Sequence, residues 1–241
     1  MMQNDYTAPF QLGPPNSFAF ASKLPEPFNH VFFTNSGSEA IDTALKMVMA
    51  YHCARGESQR IRFVSRERAY HGVNIGGVSL AGMVRNRETF PVVMPNIVMM
   101  RHWSTPFAAD KFGVMPDIIT MAKALTNGAI PMGAVAATDD VYETITDAAP
   151  ENAIEFFHGY IYSAHPAACA AGLATLQIYE DEELFERSAS LSEYFLDAMW
   201  SLKDLPVVRD LRGMGTMAGI EVHPIEGKPG ICGNDMQKKL F

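Results

Sequence analysis

Residues 116–133 read P-D-I-I-T-M-A-K-A-L-T-N-G-A-I-P-M-G. Pro116-Asp117 is a turn signal, residues 118–122 predict a short buried strand, and Asn127-Gly128 opens a loop. The strand delivers one lysine, Lys123, into a run of apolar and small residues. Desolvation there draws a lysine's pKa down toward the free amine, which attacks carbonyls and forms Schiff bases. The competing reading lets Lys123 lay its stem along the sheet and keep its head in water. A lone lysine does not choose between the two, so the flanking segments carry the decision.

Upstream, residues 31–34 predict a strand that feeds Asn35-Ser36-Gly37-Ser38-Glu39 and a helix to about Arg55. Ile41, Ala44, Leu45, Val48 and His52 fall at helical spacing, and Gly56 is the stop. A strand-to-helix junction of this kind offers backbone N–H groups and a helix dipole to an anion. Gly37 lets the backbone approach a phosphate, and Ser36 and Ser38 add hydroxyl donors. Ser36 and Glu39 also have the S-x-x-E spacing of a capping box, which is compatible with holding an anion. Residues 61–65 predict the next strand, followed by the turn Ala69-Tyr70-His71-Gly72. Tyr70 and His71 then sit at a strand's carboxyl end, where open α/β sheets bind ligands. Tyr70 is a candidate to stack on a planar cofactor and His71 to hydrogen-bond beside it; ordinary packing is the competing reading for both.

The alternation of strand and helix signals predicts an α/β fold with a largely parallel sheet. Further strands are expected at 97–100 and 133–137, and helices at 139–145, 164–179 and 182–202. The last helix carries Leu184, Leu191, Phe195 and Met199 on one face. A hairpin pattern follows at 207–211 and 217–222 around a turn at 212–215, the start of a smaller α+β domain. Residues 1–27 read as an irregular lead-in.

The chain has 241 residues, 48% of them hydrophobic, with mean hydropathy near zero, a net charge of −8 and a pI near 5.3. That balance fits one large or two small globular domains and argues against a nucleic-acid partner. Cys53, Cys169 and Cys232 are odd in number and lack C-x-x-C spacing, so no disulfide framework or zinc ribbon is expected. His158 and His165 carry no metal-ligand spacing, and no metal site is expected. No signal peptide or membrane span is read, which makes the cytoplasm the expected location. Gly213-Met-Gly215 fails as a dinucleotide fingerprint because Gly219 comes one residue late and a strand follows. Gly77-Val-Ser79-Leu-Ala81 resembles a nucleophile elbow but lacks a clear following helix and a convincing acid–histidine order.

Four segments, taken in order, resemble the class III pyridoxal-phosphate-dependent aminotransferases, and most nearly their β-alanine (omega-amino acid):pyruvate branch. They are H-V-F-F-T-N-S-G-S-E-A-I-D-T-A-L-K, R-A-Y-H-G-V, F-A-A-D-K-F-G-V-M-P-D-I-I-T-M-A-K-A-L-T-N-G-A-I-P-M-G-A-V and H-G-Y-I-Y-S-A-H-P-A-A-C-A-A-G. The resemblance implies that Lys123 bonds the cofactor and shuttles a proton between substrate and cofactor carbons. It implies that Gly37 and Ser38 hold the phosphate of pyridoxal 5'-phosphate, with Ser36 close by, and that Tyr70 stacks on its ring. It also implies transfer of an amino group from an omega-amino acid or amine to pyruvate, in a homodimer. Residues 1–163 would be a partial cofactor-binding large domain with flanking helices. Residues 164–241 would be an interdomain helix and an incomplete small domain.

Three departures accompany the match. The family carries a long segment with a D-E-V-x-x-G-F-G-R motif, whose Asp pairs with the pyridinium nitrogen. Here Arg101-His102-Trp103 runs almost directly into Ser104-Thr105-Pro106-Phe107, and no D-E-V occurs. Ile161 stands where the family has a Thr that reaches the neighbouring subunit's phosphate, and the chain stops at Phe241, before the family's C-terminal domain. These departures imply impaired activity, weakening the electron sink. They leave a non-catalytic binding or assembly protein as the alternative.

Overall fold

The β-branched and aromatic run His30–Thr34 forms β1, and the small-residue run Gly133–Ala137 forms β5. With β4 (Ile118–Ala122) they make a sheet of order β1-β5-β4. The computed structural model describes residues 15–24, 26–67, 69–91, 94–100, 113–228 and 230–240. The 101–107 junction and the first fourteen residues of the lead-in lie outside them. The chain divides into two compact units, Met1–Gln177 and Ile178–Phe241.

In the first unit β5 runs antiparallel to both neighbours, with Gly133 opposite Thr34 on one side and Ala122 on the other. β1 and β4 therefore run in the same direction and end side by side, one strand apart. The α/β class is as expected, but the largely parallel sheet is not what the described strands form. Only β2 (Phe63–Arg66) and β3 (Ile97–Met100) pair in parallel. The reason lies between β4 and β5, where residues 123–132 supply one 3-10 turn, Lys123–Leu125, and no crossover helix. Parallel pairing needs a longer connection, so the returning strand is antiparallel.

Every residue of β5 is buried, and its side chains alternate between two packed faces. Ala134 joins Phe20, Phe33, Met132, Ala168 and Cys169 on one face; Val135 meets Ala40 and Met47 of α2 (Gly37–Ala54) on the other. Phe20 comes from α1 (Pro15–Ala21), a short helix within the segment read as irregular. Ala168 and Cys169 come from α6 (Pro166–Asp181). On α2 the buried positions are Ala40, Thr43, Leu45 and Met47. Of the expected stripe Leu45 is buried, while Ile41, Ala44, Val48 and His52 are half-buried, so the buried face is rotated toward Ala40 and Thr43. The glycine-rich run after His71 is helical: α3 spans Ile75–Leu80 and α4 spans Val84–Thr89. Its glycines admit tight packing, since a Cβ at Gly76 would strike Asp42 of α2 and one at Gly77 the carbonyl of His71. α5 (Asp139–Asp147) then packs against α2.

In the second unit, β6 (Val208–Met214) and β7 (Met217–Val222) form the expected hairpin. Its turn is at Gly215-Thr216 instead of 212–215, because Arg212, Gly213 and Met214 pair with Gly219, Ala218 and Met217 in the ladder. α7 (Leu184–Trp200) packs on β6, and α8 (Ile231–Leu240) follows. No residue of α7 is buried. A Cβ added at Gly213 would lie 2.5 Å from Leu196 and 2.9 Å from Trp200.

Gly133 tests how tightly the first sheet closes on α2's start. A Cβ there would sit 2.5 Å from both the Ser36 carbonyl oxygen and Thr34 Oγ1. Gly133→Ala is expected to lower unfolding free energy by about 1–3 kcal/mol, as overpacking does. Gly219→Ala, with nothing within 4 Å of the added methyl, is expected within about 0.5 kcal/mol of wild type. Urea denaturation of the two variants makes the comparison.

Candidate functional site

Because β1 and β4 end together, Asn35 and Lys123 leave the sheet at the same edge, and α2 begins between them. An added Cβ at Gly37 would lie 3.1 Å from the Cβ of Ala122, the residue before Lys123. Ser36 caps the helix by accepting the Glu39 N–H at 3.2 Å, and the Glu39 carboxylate accepts the Asn35 N–H at 2.7 Å. This is the expected capping box, with the glutamate reaching one residue further back than usual. With Glu39's N–H engaged by the cap, the N–H groups of Gly37 and Ser38 have no intrahelical acceptor and are available to an anion.

Lys123 opens the 3-10 turn with a φ of 55°. A left-handed lysine costs of order 1–2 kcal/mol and persists only where its surroundings hold it. Here its carbonyl accepts from both Thr126 and Gly128 N–H groups, and buried Thr126 donates its hydroxyl to the Ile130 carbonyl at 2.6 Å. The desolvated setting expected for this lysine is absent. β4 has no buried residue (Thr120 is exposed and the other four are half-buried) and Lys123 is exposed, because among the described residues β4 pairs with β5 alone.

The turn after β2 is tied to the same place. Ser38 Oγ accepts the Val73 N–H at 3.0 Å, and a Cβ on Gly72 would lie 2.6 Å from that oxygen. With φ of 99° as well, Gly72 is required both by conformation and by space. Tyr70 rides on this turn with half its surface exposed. His71 points elsewhere, bonding Ser65 Oγ at 3.1 Å while Ser65 donates to the Leu80 carbonyl. Burial, then the nearby Arg66 charge, hold His71 below the usual imidazole range. It braces the turn from beneath. The structure thus gathers Ser36, Gly37, Ser38, Lys123 and the turn bearing Tyr70, and sets the His71 ring against the β2–α3 packing.

These residues fit the cofactor that the resemblance implies at its phosphate and aldehyde ends: two helix-start N–H groups, a serine hydroxyl and an exposed amine. The Ser79 reading falls away. Ser79 is buried within α3, donating to the Ile75 carbonyl and accepting the Met94 N–H, instead of standing on an exposed turn. A cavity of about 530 Å³ lies elsewhere, lined by Phe32, Val141, Phe156, His158 and Ser163 among others. The sequence reading missed a polar cluster beside it, Thr43, Lys46, His158 and Tyr160. The one signal for it was the interleaving of His158 and Tyr160 with aromatic residues.

The Aminotransferase class-III family matches residues 17–106 and 104–233, two pieces that meet where the sequence runs from Trp103 into Phe107. An omega-aminotransferase of Caulobacter vibrioides is 37% identical over 312 residues, taking in 93% of this chain and 71% of the relative. A 312-residue alignment exceeds the 241-residue chain, so that relative carries inserted sequence that this chain lacks. The beta-alanine--pyruvate aminotransferase of Pseudomonas aeruginosa is 33% identical, across 98% of this chain and 72% of its own length. Among solved structures, an (S)-enantioselective omega-transaminase from Thermomicrobium roseum matches with a TM-score of 0.80 at 25% identity, covering 88% of this chain. The chain spans 66% of that structure's chain. On the family match and these identities, the chain belongs to the class-III, pyridoxal-phosphate-dependent aminotransferases.

Proposed function

We propose that this chain is built to move an amino group from an omega-amino acid or amine, such as β-alanine, to pyruvate, and that its turnover is impaired. The observation that supports the site is the convergence, at one sheet end, of left-handed Lys123, the uncapped N–H groups of Gly37 and Ser38, and the turn tied to Ser38. In this reading Gly37 and Ser38 hold the phosphate, with Ser36 fixing the helix start. Tyr70 would cover the ring, and the Lys123 amine would hold the aldehyde end and move a proton for the substrate. When bound, pyridoxal phosphate supplies the electron sink.

Impairment rests on the sequence. No D-E-V motif occurs, and the family match breaks at 104–106, where the resemblance places the segment that carries it. The alternative, a non-catalytic binding or assembly protein that keeps this scaffold, draws on the same two facts. A homodimer is part of the proposal, supported by three large side chains close together on one segment: Phe157, Ile161 and Tyr162 are 83%, 78% and 62% exposed. The division into a large domain at 1–163 and a small one at 164–241 also belongs to it. Among the described residues no helix is long and apolar enough to cross a membrane; a cytoplasmic site of action is proposed.

Borohydride reduction of the chain incubated with pyridoxal phosphate, followed by peptide mass spectrometry, tests the site. Label is expected on Lys123 and lost in Lys123→Ala; scattered label that persists in that variant would sink the assignment. With β-alanine and pyruvate, turnover is expected at least about 100-fold below that of the Caulobacter vibrioides relative, the scale of losing one transition-state electrostatic contact. Turnover comparable to the relative's would end the claim of impairment. Light scattering should show a dimer that Phe157→Asp converts to monomer; a wild-type monomer refutes the dimer.

A further inference from the structure

We propose that His158 is a positioning residue for the phosphate end of α2, acting through a one-way hydrogen-bond relay that pins residues 156–160 to the helix's first turns. The proposal rests on the phosphate reading given above.

Thr43 is fully buried on α2, and a hydroxyl so placed is costly without partners. Its partners are His158 Nε2 at 2.9 Å and the Tyr160 hydroxyl at 3.3 Å. The direction of the relay follows from its ends. Lys46 Nζ lies 3.1 Å from His158 Nδ1, and an ammonium only donates. Nδ1 therefore accepts, so the neutral ring carries its proton on Nε2 and donates it to Thr43. Thr43 donates onward to Tyr160, which donates to the Glu39 carbonyl at 3.3 Å. That acceptor is one residue beyond Ser38. Phe32 stacks on the imidazole with centroids 5.3 Å apart and Phe156 meets it edge-on at 5.4 Å, which keeps the ring from turning.

One proton added to His158 breaks this arrangement. It would place an N–H on Nδ1 against the Lys46 ammonium, donor to donor and cation to cation. Among the described residues, the charged groups that act on the ring are Lys46 and Asp42 of α2; Tyr160 of its own segment meets it edge-on and feels Glu39 as well, and Phe32 of β1 stacks on it. His30 of β1, Tyr142 of α5 and Glu155 of its own segment line the same cavity. Burial first, then Lys46, hold His158 below the usual imidazole range, with Asp42 opposing. Burial also pushes the Tyr160 hydroxyl up, so it stays a donor. A folded-state pKa lowered from its unfolded value stabilises fully above about pH 6.5, and that stability is lost as pH falls through the folded value.

The test uses the full chain and three variants. His158→Gln keeps one acceptor and one donor without titrating; His158→Leu and Thr43→Val cut the relay. Amide hydrogen exchange of residues 36–43 and 156–160, corrected for intrinsic rates, is followed without cofactor from pH 8 to 5.5. Protection is expected to fall with pH in wild type, to stay level in His158→Gln and to be low throughout in Thr43→Val. Equilibrium dialysis at pH 8 then compares pyridoxal phosphate with pyridoxal, which lacks the phosphate. His158→Leu should weaken pyridoxal phosphate about tenfold, the scale of one lost hydrogen bond, and leave pyridoxal unchanged; His158→Gln should bind as wild type.

Level protection in wild type, or unchanged pyridoxal phosphate affinity in His158→Leu, overturns the proposal. If His158→Leu does not fold, the pH contrast between wild type and His158→Gln decides it. If wild type distinguishes the two ligands no better than a Ser38→Ala, Gly37→Ala double variant, the phosphate reading fails. The exchange data then judge the relay alone.

Discussion

Three missing side chains let a sheet end, a helix start and a turn occupy one small volume. A methyl on Gly37 would press on Ala122, one on Gly72 on the Ser38 hydroxyl, and one on Gly133 on the Ser36 carbonyl. Protein interiors are packed too closely to absorb such additions without movement. The positions of Ser36, Ser38, Lys123 and the Tyr70 turn relative to one another follow from those contacts. The antiparallel return of β5 completes the constraint by ending β1 and β4 at the same edge.

The two ends of the site are not held equally. At the proposed phosphate end, a capping box holds the helix start, and the Ser38–Val73 bond and the Gly72 contact both converge on the Ser38 hydroxyl. At the reacting end, Lys123 is held by its backbone, through two bonds to its carbonyl, while its side chain is exposed beside a strand paired on one side among the described residues. That asymmetry is in keeping with the impaired turnover proposed above. The sequence break at 103–107 falls between β3 and β4, the strands that precede the reacting end.

Beneath α2 the core is polar where an aliphatic side chain would have served for packing alone. Thr43, His158 and Tyr160 satisfy one another in a single sense, whereas an aliphatic residue would tolerate several arrangements of the 156–160 segment. Buried polar networks that are fully satisfied specify one arrangement, and partly satisfied ones are costly. In the second unit α7 packs on a two-stranded hairpin with no buried residue of its own.

Local chemistry was legible in the sequence. The cap at Ser36 and Glu39, the helix that follows, the β6–β7 hairpin and the strand ending at Lys123 all depend on neighbours within a few residues, and period and spacing record such neighbours directly. The family was legible for the same reason, since its motifs are contiguous. Tertiary structure alone decided three things. It set the sheet's sense, because the short β4–β5 connection rules out a crossover. It set the exposure of Lys123, because burial depends on which strands lie alongside. It also set the partners of Thr43, since His158 and Tyr160 stand more than a hundred positions away in the chain and only packing against α2 brings them to it.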